Sequence, residues 1–349
     1  MRAPADPRRV PAPQAAGTQR FRQPAACRGY ALTRMSSCSP LDHPPGSLER
    51  LVLPATTRVR ARLRSVEAVA LPGWLGSMFH GALGHALREL CCSPACERGH
   101  AAGGSCEYRR LFERPPVGEL ASGRLKGDAP MPLVLEVPPP GEPCRLARGA
   151  ELSLGVVLIG RARRDLASLT SALQRIGGRG LGAGRGRLEL VALDTDEVPA
   201  QRASTGAAGS LTPRDLKIVA RTPLRLFRGG ELTLAPGIPD LALAIAHRTL
   251  ALSVFHDDGD PGVRIEPIGQ ALADSARSTT MHWRRLEVTR YSERQDRRHA
   301  MEGVLGEITA AAVPAWAAHL LALGERIGVG KSSGFGFGRI AILPIDPPR

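Results

Sequence analysis

The chain has 349 residues, of which 43% are hydrophobic and 4% aromatic, and it carries a formal net charge of +14 at pH 7. This length gives room for about two domains, and the composition requires their cores to be aliphatic. No run of about 18 apolar residues and no apolar signal region is present, so neither a membrane span nor a secretory signal is expected. The charge favours a polyanionic partner, most often nucleic acid, although biased codon usage would also enrich arginine.

The N-terminal segment 1–46 is rich in Pro, Ala, Arg and Ser and shows no apolar periodicity. This composition is typical of a disordered basic tail or of sequence translated upstream of the true start, for which Met35 offers a later position. The chain has seven cysteines, and four of them lie between Cys91 and Cys106. Such crowding suits a reducing compartment better than a disulfide framework, which predicts a cytoplasmic protein.

The first predicted strand covers residues 57–65, where apolar side chains alternate with arginines. A period of two predicts one buried face and one arginine-bearing face. Residues 74–90 place their large apolar side chains three and four positions apart, which predicts an amphipathic helix. His80 and His85 lie on opposite boundaries of its apolar stripe and cannot both point to one spot. A histidine at such a boundary is usually a packing residue, so a chemical role stays open for each.

Four cysteines follow this helix within sixteen residues: Cys91, Cys92, Cys96 and Cys106. Their spacing is not that of a standard zinc finger. The thiols nevertheless offer ligands for a structural zinc ion or an iron–sulfur cluster, and the alternative is a reduced, partly buried cysteine patch.

The remaining elements follow the same order in both halves of the chain. The predicted strands are 152–159, 188–193, 216–220, 283–292, 301–309 and 340–342, with loops and edge strands in 115–150, and the predicted helices are 165–176, 238–254 and 316–326. Residues 195–214 are interpreted as an interdomain linker. Each half then reads strand–helix–strand–strand–helix–strand, which is typical of a ferredoxin-like domain. Candidate RNA-binding arginines lie in the basic strand at 283–292 and in a glycine-rich stretch at 177–187, namely Arg285, Arg290, Arg179 and Arg185.

A second glycine-rich stretch, residues 328–338, contains two Gly-hydrophobic-Gly triplets that bracket five residues. Dense glycine permits positive φ and close approach of backbone N–H groups to a ligand. The candidate RNA contacts here are Gly328, Gly330, Gly336, Gly338, Lys331, Ser332, Ser333 and Arg339. A Walker phosphate loop would need a glycine where Glu325 stands, which disfavours an ATP site. On composition alone, a flexible Gly/Phe hairpin explains the stretch equally well.

Several of these segments together resemble CRISPR-associated RAMP proteins of the Cas6 family, in a branch that bears spaced cysteines. They are the glycine triplets at 328–338, the Leu-Pro-Gly at 71–73, the Gly-Ala-Leu-Gly-His-Ala-Leu-Arg segment at 81–88, and the Cys-x-Tyr-x-x-Leu-Phe-Glu segment at 106–113. Residues 222–225, 290–292 and 303–306 are similar too. The resemblance implies an α+β fold of two tandem ferredoxin-like (RRM-like, βαββαβ) domains. We expect them at 47–210, with a cysteine-rich insertion, and at 211–349, with the C-terminal glycine-rich loop.

The same resemblance implies a metal-independent endoribonuclease that cuts precursor CRISPR RNA within its repeat, by attack of a 2′-hydroxyl on the adjacent phosphate. In many members a histidine on the first helix transfers the proton. That points to His85, which lies inside the matched segment, and then to His80, with Lys331 as a charge stabiliser. The alternative is a non-catalytic RAMP subunit that binds guide RNA in a CRISPR effector complex. A metalloprotein built on the cysteines would not explain the paired glycine stretches.

Overall fold

The computed structural model describes residues 44–45, 47–93, 96, 106–113, 125, 129–182, 184–204, 214–273, 279–292 and 297–345. Side chains are not described at 214, 279, 290–292 and 297–299. The predicted tail at 1–46 therefore lies almost entirely outside the described residues, and so does the side chain of Arg290.

The N-terminal lobe is built on a four-stranded antiparallel sheet. Its elements in chain order are β1 (Val52–Leu53), β2 (Thr56–Ser65), β3 (Val69–Leu71), α1 (Leu75–Cys91), α2 (Glu107–Phe112), β4 (Leu133–Glu136), β5 (Cys144–Leu146), β6 (Glu151–Ile159), α3 (Leu166–Arg179), β7 (Leu188–Val198) and β8 (Gln201–Arg202). The sheet runs β4–β6–β2–β7. In β2 the apolar residues Val59, Ala61 and Leu63 are buried with α1 and α3 in one core, as the alternating pattern predicts.

The C-terminal lobe repeats this design. Its elements are β9 (Arg214–Ala220), β10 (Phe227–Arg228), β11 (Glu231–Leu232), α4 (Ile238–His256), α5 (Glu266–Leu272), β12 (Thr279–Ser292), β13 (Arg297–Val313), α6 (Ala315–Ile327) and β14 (Ile340–Pro344). The four-stranded sheet runs β12–β13–β9–β14, and α4 and α6 pack their apolar residues into its core.

Both sheets have the same order when each lobe's four strands are numbered along the chain: second, third, first, fourth. All pairings within them are antiparallel. With the helices between strands one and two and between strands three and four, this is the ferredoxin-like arrangement. The structure therefore confirms the predicted fold class of two tandem ferredoxin-like units.

The linker predicted at 195–214 is wrong for its first part, because β7 continues to Val198 and β8 pairs with β1. The acidic run that gave a loop-like composition lies opposite the arginines of β2. Asp194 is the register partner of Arg60, and Asp196 is the partner of Arg58. The ion pairs of this segment are with other arginines: Asp196 pairs with Arg326 at 3.1 Å and Glu197 with Arg163 at 3.2 Å.

The two lobes pack directly on each other. Arg161 donates hydrogen bonds to the carbonyl oxygens of Phe255 and Asp257 at the end of α4, at 2.9 and 2.8 Å. From α6, Arg326 Nε donates to Thr56 Oγ1 at 2.6 Å. Because side chains from one lobe cap backbone and hydroxyl groups of the other, residues of both lobes can contribute to one site.

Among the described helices, α4 is the one long and apolar enough to cross a membrane by length and composition, which the sequence analysis did not expect. Half of the 18-residue window is buried inside the protein. Its residues Leu241, Ile245 and Ala246 are fully buried in the C-terminal core, as in an ordinary core helix.

Candidate functional site

His80 on α1 is held at the junction of the two lobes. Its Nδ1 lies 2.8 Å from the carbonyl oxygen of Gly334 in the glycine-rich loop. Because a carbonyl oxygen can only accept, Nδ1 must carry the hydrogen, and a neutral His80 has its lone pair on Nε2. The half-buried ring lies between Phe335 and Phe112, with centroid separations of 3.8 and 4.9 Å. Three contacts from two lobes thus fix both the position and the tautomer of this imidazole.

The small α2 helix supplies one side of this enclosure. Its Tyr108 and Phe112 stack on each other at 5.7 Å and lie along the stripe of α1 that carries His80, Gly84 and Arg88. A Cβ added to Gly84 would lie 3.3 Å from Phe112 Cε1, so glycine at this position permits the close approach. The face of α1 that carries Gly84 therefore packs against α2.

His85 lies on another side of the same helix. It lies five positions after His80, which turns the side chain by about 140° in an α-helix. Its side chain is exposed, whereas its neighbours Gly84 and Ala86 are buried. The structure therefore brings His80, and not the sequence-preferred His85, to the glycine-rich loop.

The glycine-rich loop at 328–338 docks into the N-terminal lobe. Phe337 is fully buried and meets Trp74 edge to face at 5.2 Å. A Cβ at Gly76 would overlap the carbonyl oxygen of Phe335, and one at Gly336 would lie 2.8 Å from Val137 Cγ2. Glycine is thus required on both sides of this contact so that the backbones can meet.

The loop's own conformation also depends on glycine. Gly328, Gly330, Gly336 and Gly338 have φ values of 72°, 81°, 80° and 81°, in the left-handed region that favours glycine. Several backbone N–H groups are bonded within the protein, since those of Gly338 and Arg339 donate at 2.9 Å to Pro223 O and Thr222 Oγ1. Ser333 is buried, and Ser332 adopts the left-handed conformation at the loop's turn.

Lys331 is the exposed charge of this loop. Its Nζ lies 4.9 Å from the ring centroid of Phe227, and the guanidinium of Arg225 lies 5.1 Å from the same centroid. Cation–π contacts of this kind hold charged groups over an aromatic face. Phe227 remains 38% exposed, so these three residues, here named the Phe227 patch, form an accessible basic and aromatic surface.

A second basic group surrounds Arg339, which immediately follows the loop. Its Nη1 donates to Val137 O at 2.8 Å, across the lobe boundary. Burial lowers the pKa of its guanidinium, Glu136 acts against that shift, and the charges of Arg58, Arg221 and Arg60 add to it. These four arginines are here named the Arg339 cluster. Arg58 is paired with Glu136 at 3.1 Å, so one carboxylate offsets part of their charge, and an anion placed beside the others would be stabilised.

The other predicted RNA-binding arginines are more scattered. Arg179 at the end of α3 pairs with Glu89 of α1. Arg185 is exposed in a tight turn with φ of 47°. On the β12–β13 hairpin, Arg285 pairs with Glu302 at 2.5 Å.

The cysteines separate into a trio and a neighbour. The Sγ atoms of Cys92, Cys96 and Cys106 all lie within 4.8 Å of one another, which is compatible with one metal ion. Cys91 is outside this group, and burial raises the pKa of its thiol, with Glu107 acting in the same direction. Of the four predicted ligands, three therefore converge.

Sequence reasoning missed Phe112, Phe335, Phe227 and Arg225 as parts of the site. Phe112 and Phe335 lay inside segments already singled out, but their contact with a histidine depends on the docking of α2 and the loop. Arg225 lay in the matched segment 222–225 but was not singled out as a contact, and Phe227 had no sequence signal, because an isolated aromatic beside a basic residue is common on protein surfaces.

Two family models match the chain. Residues 53–214 match a model described as an N-terminal domain. Residues 218–340 match the model described as CRISPR-associated endoribonuclease Cas6. The C-terminal lobe thus matches the Cas6 family over about a third of the chain. This confirms the resemblance for the glycine triplets at 328–338, which lie inside the matched residues.

Solved structures of Cas6 proteins are similar at low identity. A Cas6 product complex is 17% identical, covers 82% of this chain and 100% of that chain, and has a TM-score of 0.49. A Thermus thermophilus Cas6 is 15% identical, covers 83% and 99% of the two chains, and has a TM-score of 0.47. A RAMP protein binding different RNA substrates is 11% identical, with 82% and 99% coverage and a TM-score of 0.42. No curated protein matches the sequence significantly.

Proposed function

We propose that this chain is a metal-independent endoribonuclease that cuts precursor CRISPR RNA within the repeat. The 2′-hydroxyl of the nucleotide before the cut attacks the adjacent phosphate, which leaves a 2′,3′-cyclic phosphate and a 5′-hydroxyl. One proton leaves the attacking hydroxyl and one reaches the departing 5′-oxygen, so the reaction balances without a metal.

The single observation that carries this proposal is the fixed tautomer of His80. Proton transfer at neutral pH suits an imidazole whose reacting nitrogen is held in place. The Gly334 carbonyl occupies Nδ1 at 2.8 Å, so Nε2 is the atom that would exchange the proton with the RNA. We assign this role to His80 and not to His85, because His85 is exposed on another side of α1.

Two basic groups would hold the RNA on either side of the glycine-rich loop. In the Arg339 cluster, phosphates would relieve the repulsion among Arg58, Arg60, Arg221 and Arg339. In the Phe227 patch, Lys331 and Arg225 would bind phosphate while the exposed ring offers a surface for an unpaired base. The proposed partners are thus the CRISPR repeat RNA, the processed guide RNA and, through the guide, a CRISPR effector complex.

A second candidate function is guide-RNA binding without cleavage. The observation that favours it is the packing of His80 between Phe112 and Phe335, since an enclosed histidine can serve packing alone. Under this alternative the basic groups bind RNA in the same way, but no proton is transferred.

A cleavage assay separates the two functions. The purified protein is mixed in excess with end-labelled repeat RNA in buffer without added metal, with and without EDTA, and binding is measured in parallel. An endoribonuclease gives one fixed cut, which disappears when a 2′-deoxy nucleotide precedes the cut, because the attacking hydroxyl is gone. Tight binding of the CRISPR repeat without a cut would instead establish the guide-binding function.

A further inference from the structure

We propose that Cys92, Cys96 and Cys106 supply three ligands to one metal ion, zinc being the chemically preferred one, and that this ion fastens α2 to the end of α1. The binding itself is independent of the proposed nuclease function. Its consequence for His80, argued below from Phe112, rests on that function.

The spacing of the sulfur atoms fits a single ion. Zinc binds thiolate sulfur at about 2.3 Å, so two thiolates at tetrahedral positions lie about 3.8 Å apart. The Sγ atoms of Cys92 and Cys106 are 3.9 Å apart, and Cys96 Sγ lies within 4.8 Å of both. Thiolates bound to different iron atoms of a cluster are held further apart, so the geometry favours one ion over the iron–sulfur alternative.

Two of the three ligands also lie at the ends of the helices that the ion would join. Cys92 is the residue that caps the C-terminus of α1, and Cys106 is the residue that caps the N-terminus of α2. An isolated helix as short as α2, with six residues, is not stable in water. An ion shared by the two caps would hold α2 against α1, beside the bidentate contact of Arg110 with Asp165 that ties α2 to the start of α3.

The metal site would also affect His80, because α2 carries Phe112. That ring lies 4.9 Å from His80 and forms one side of its enclosure. Loss of the ion would loosen α2 and release this side, while Gly334 and Phe335 would still hold the other. The three cysteines would thus be positioning residues that act on His80 through Phe112.

Cys91 supplies a matched control. It neighbours Cys92 in sequence and is half-buried, but it is not part of the trio. Cys144, which is exposed on β5, supplies a second control far along the chain.

The first test measures metal directly. The protein is purified without added metal, and its zinc and iron contents are determined. We expect about one zinc per chain in the wild type, in Cys91→Ser and in Cys144→Ser, and a loss of about tenfold or more in Cys92→Ser and Cys106→Ser. Replacement of the zinc by cobalt in the wild-type protein should give the strong thiolate-to-cobalt absorption of a tetrahedral site. This measurement needs neither a folded variant nor RNA.

The second test measures the effect on the histidine. The ring-proton chemical shifts of His80, assigned with His80→Asn, should move when zinc is removed by a chelator and return when zinc is restored. The same treatment of Cys106→Ser should change nothing. Wild-type protein with neither bound zinc nor cobalt absorption would overturn the proposal, and so would equal zinc in Cys106→Ser. Zinc binding in a protein that does not cut RNA would leave the metal site established and refute only the nuclease function.

Discussion

Replacement of His80 by asparagine is the sharpest test of the assigned chemistry. The Nδ2 amide of asparagine can occupy the place of the imidazole Nδ1, so the hydrogen bond to the Gly334 carbonyl at 2.8 Å can survive. The group at Nε2 is lost, and with it the proposed proton transfer. A positioned general acid or base contributes a factor of about 10² to 10⁴. That factor corresponds to about 2.7 to 5.4 kcal/mol of transition-state stabilisation.

The companion variants separate chemistry from packing. His80→Ala should lose the same rate and also about 0.5–1.5 kcal/mol of folding free energy, because the hydrogen bond to Gly334 disappears. His85→Ala is the matched control on the same helix, and we expect its single-turnover rate to stay within about threefold of the wild type, as for an exposed residue.

The measurements are single-turnover cleavage of labelled repeat RNA in EDTA, repeat-RNA affinity, and chemical unfolding. We expect His80→Asn to bind and fold like the wild type but to cut slowly. Wild-type cleavage by His80→Asn together with a large loss in His85→Ala would place the chemistry on the other side of α1 and refute the assignment.

Three further outcomes are expected. Lys331→Ala should reduce the slope of log affinity against log salt by about one for repeat RNA, since one phosphate contact is lost; an unchanged slope in a filter-binding titration would remove the Phe227 patch from the RNA path. Gly76→Ala should lower the free energy of unfolding in urea by about 1–3 kcal/mol, because the added Cβ would overlap Phe335 O. The control on the same helix is Gly81→Ala, whose Cβ would meet nothing within 4 Å, and it should be neutral or stabilising by up to about 1 kcal/mol. Burial lowers the pKa of His256 from its usual 6.5, so as the pH drops below 6.5 the unfolded chain takes up a proton before the folded chain does, and the free energy of unfolding falls. His256→Gln should make this fall in stability at acid pH less steep. An equally steep fall in the variant would show that His256 does not cause it.

Local pattern was sufficient for the elements themselves. The alternation at 57–65 corresponds to β2, and the three-and-four spacing at 74–90 corresponds to α1, because these periods reflect which side chains face a core. The repeated order of elements was sufficient for two ferredoxin-like units, since short connections leave few other ways to pair the strands. Composition was misleading for the acidic end of β7, which pairs as a strand with β2 and whose Asp196 and Glu197 form ion pairs with Arg326 and Arg163.

The sequence by itself determined which residue types the site would use: a histidine on the first helix, a flexible glycine loop, four closely spaced cysteines and an excess of arginine. Only the tertiary structure decided how they combine. A helical wheel places His80 and His85 on opposite sides of α1, but the choice between them depends on Gly334, which lies 254 positions further along the chain. Likewise, the glycine content of 328–338 predicts that its backbone lies close to another group but does not identify that group. In the structure the loop contacts Trp74, Gly76 and Val137 of the other lobe. Such contacts depend on long-range packing, which no local spacing encodes.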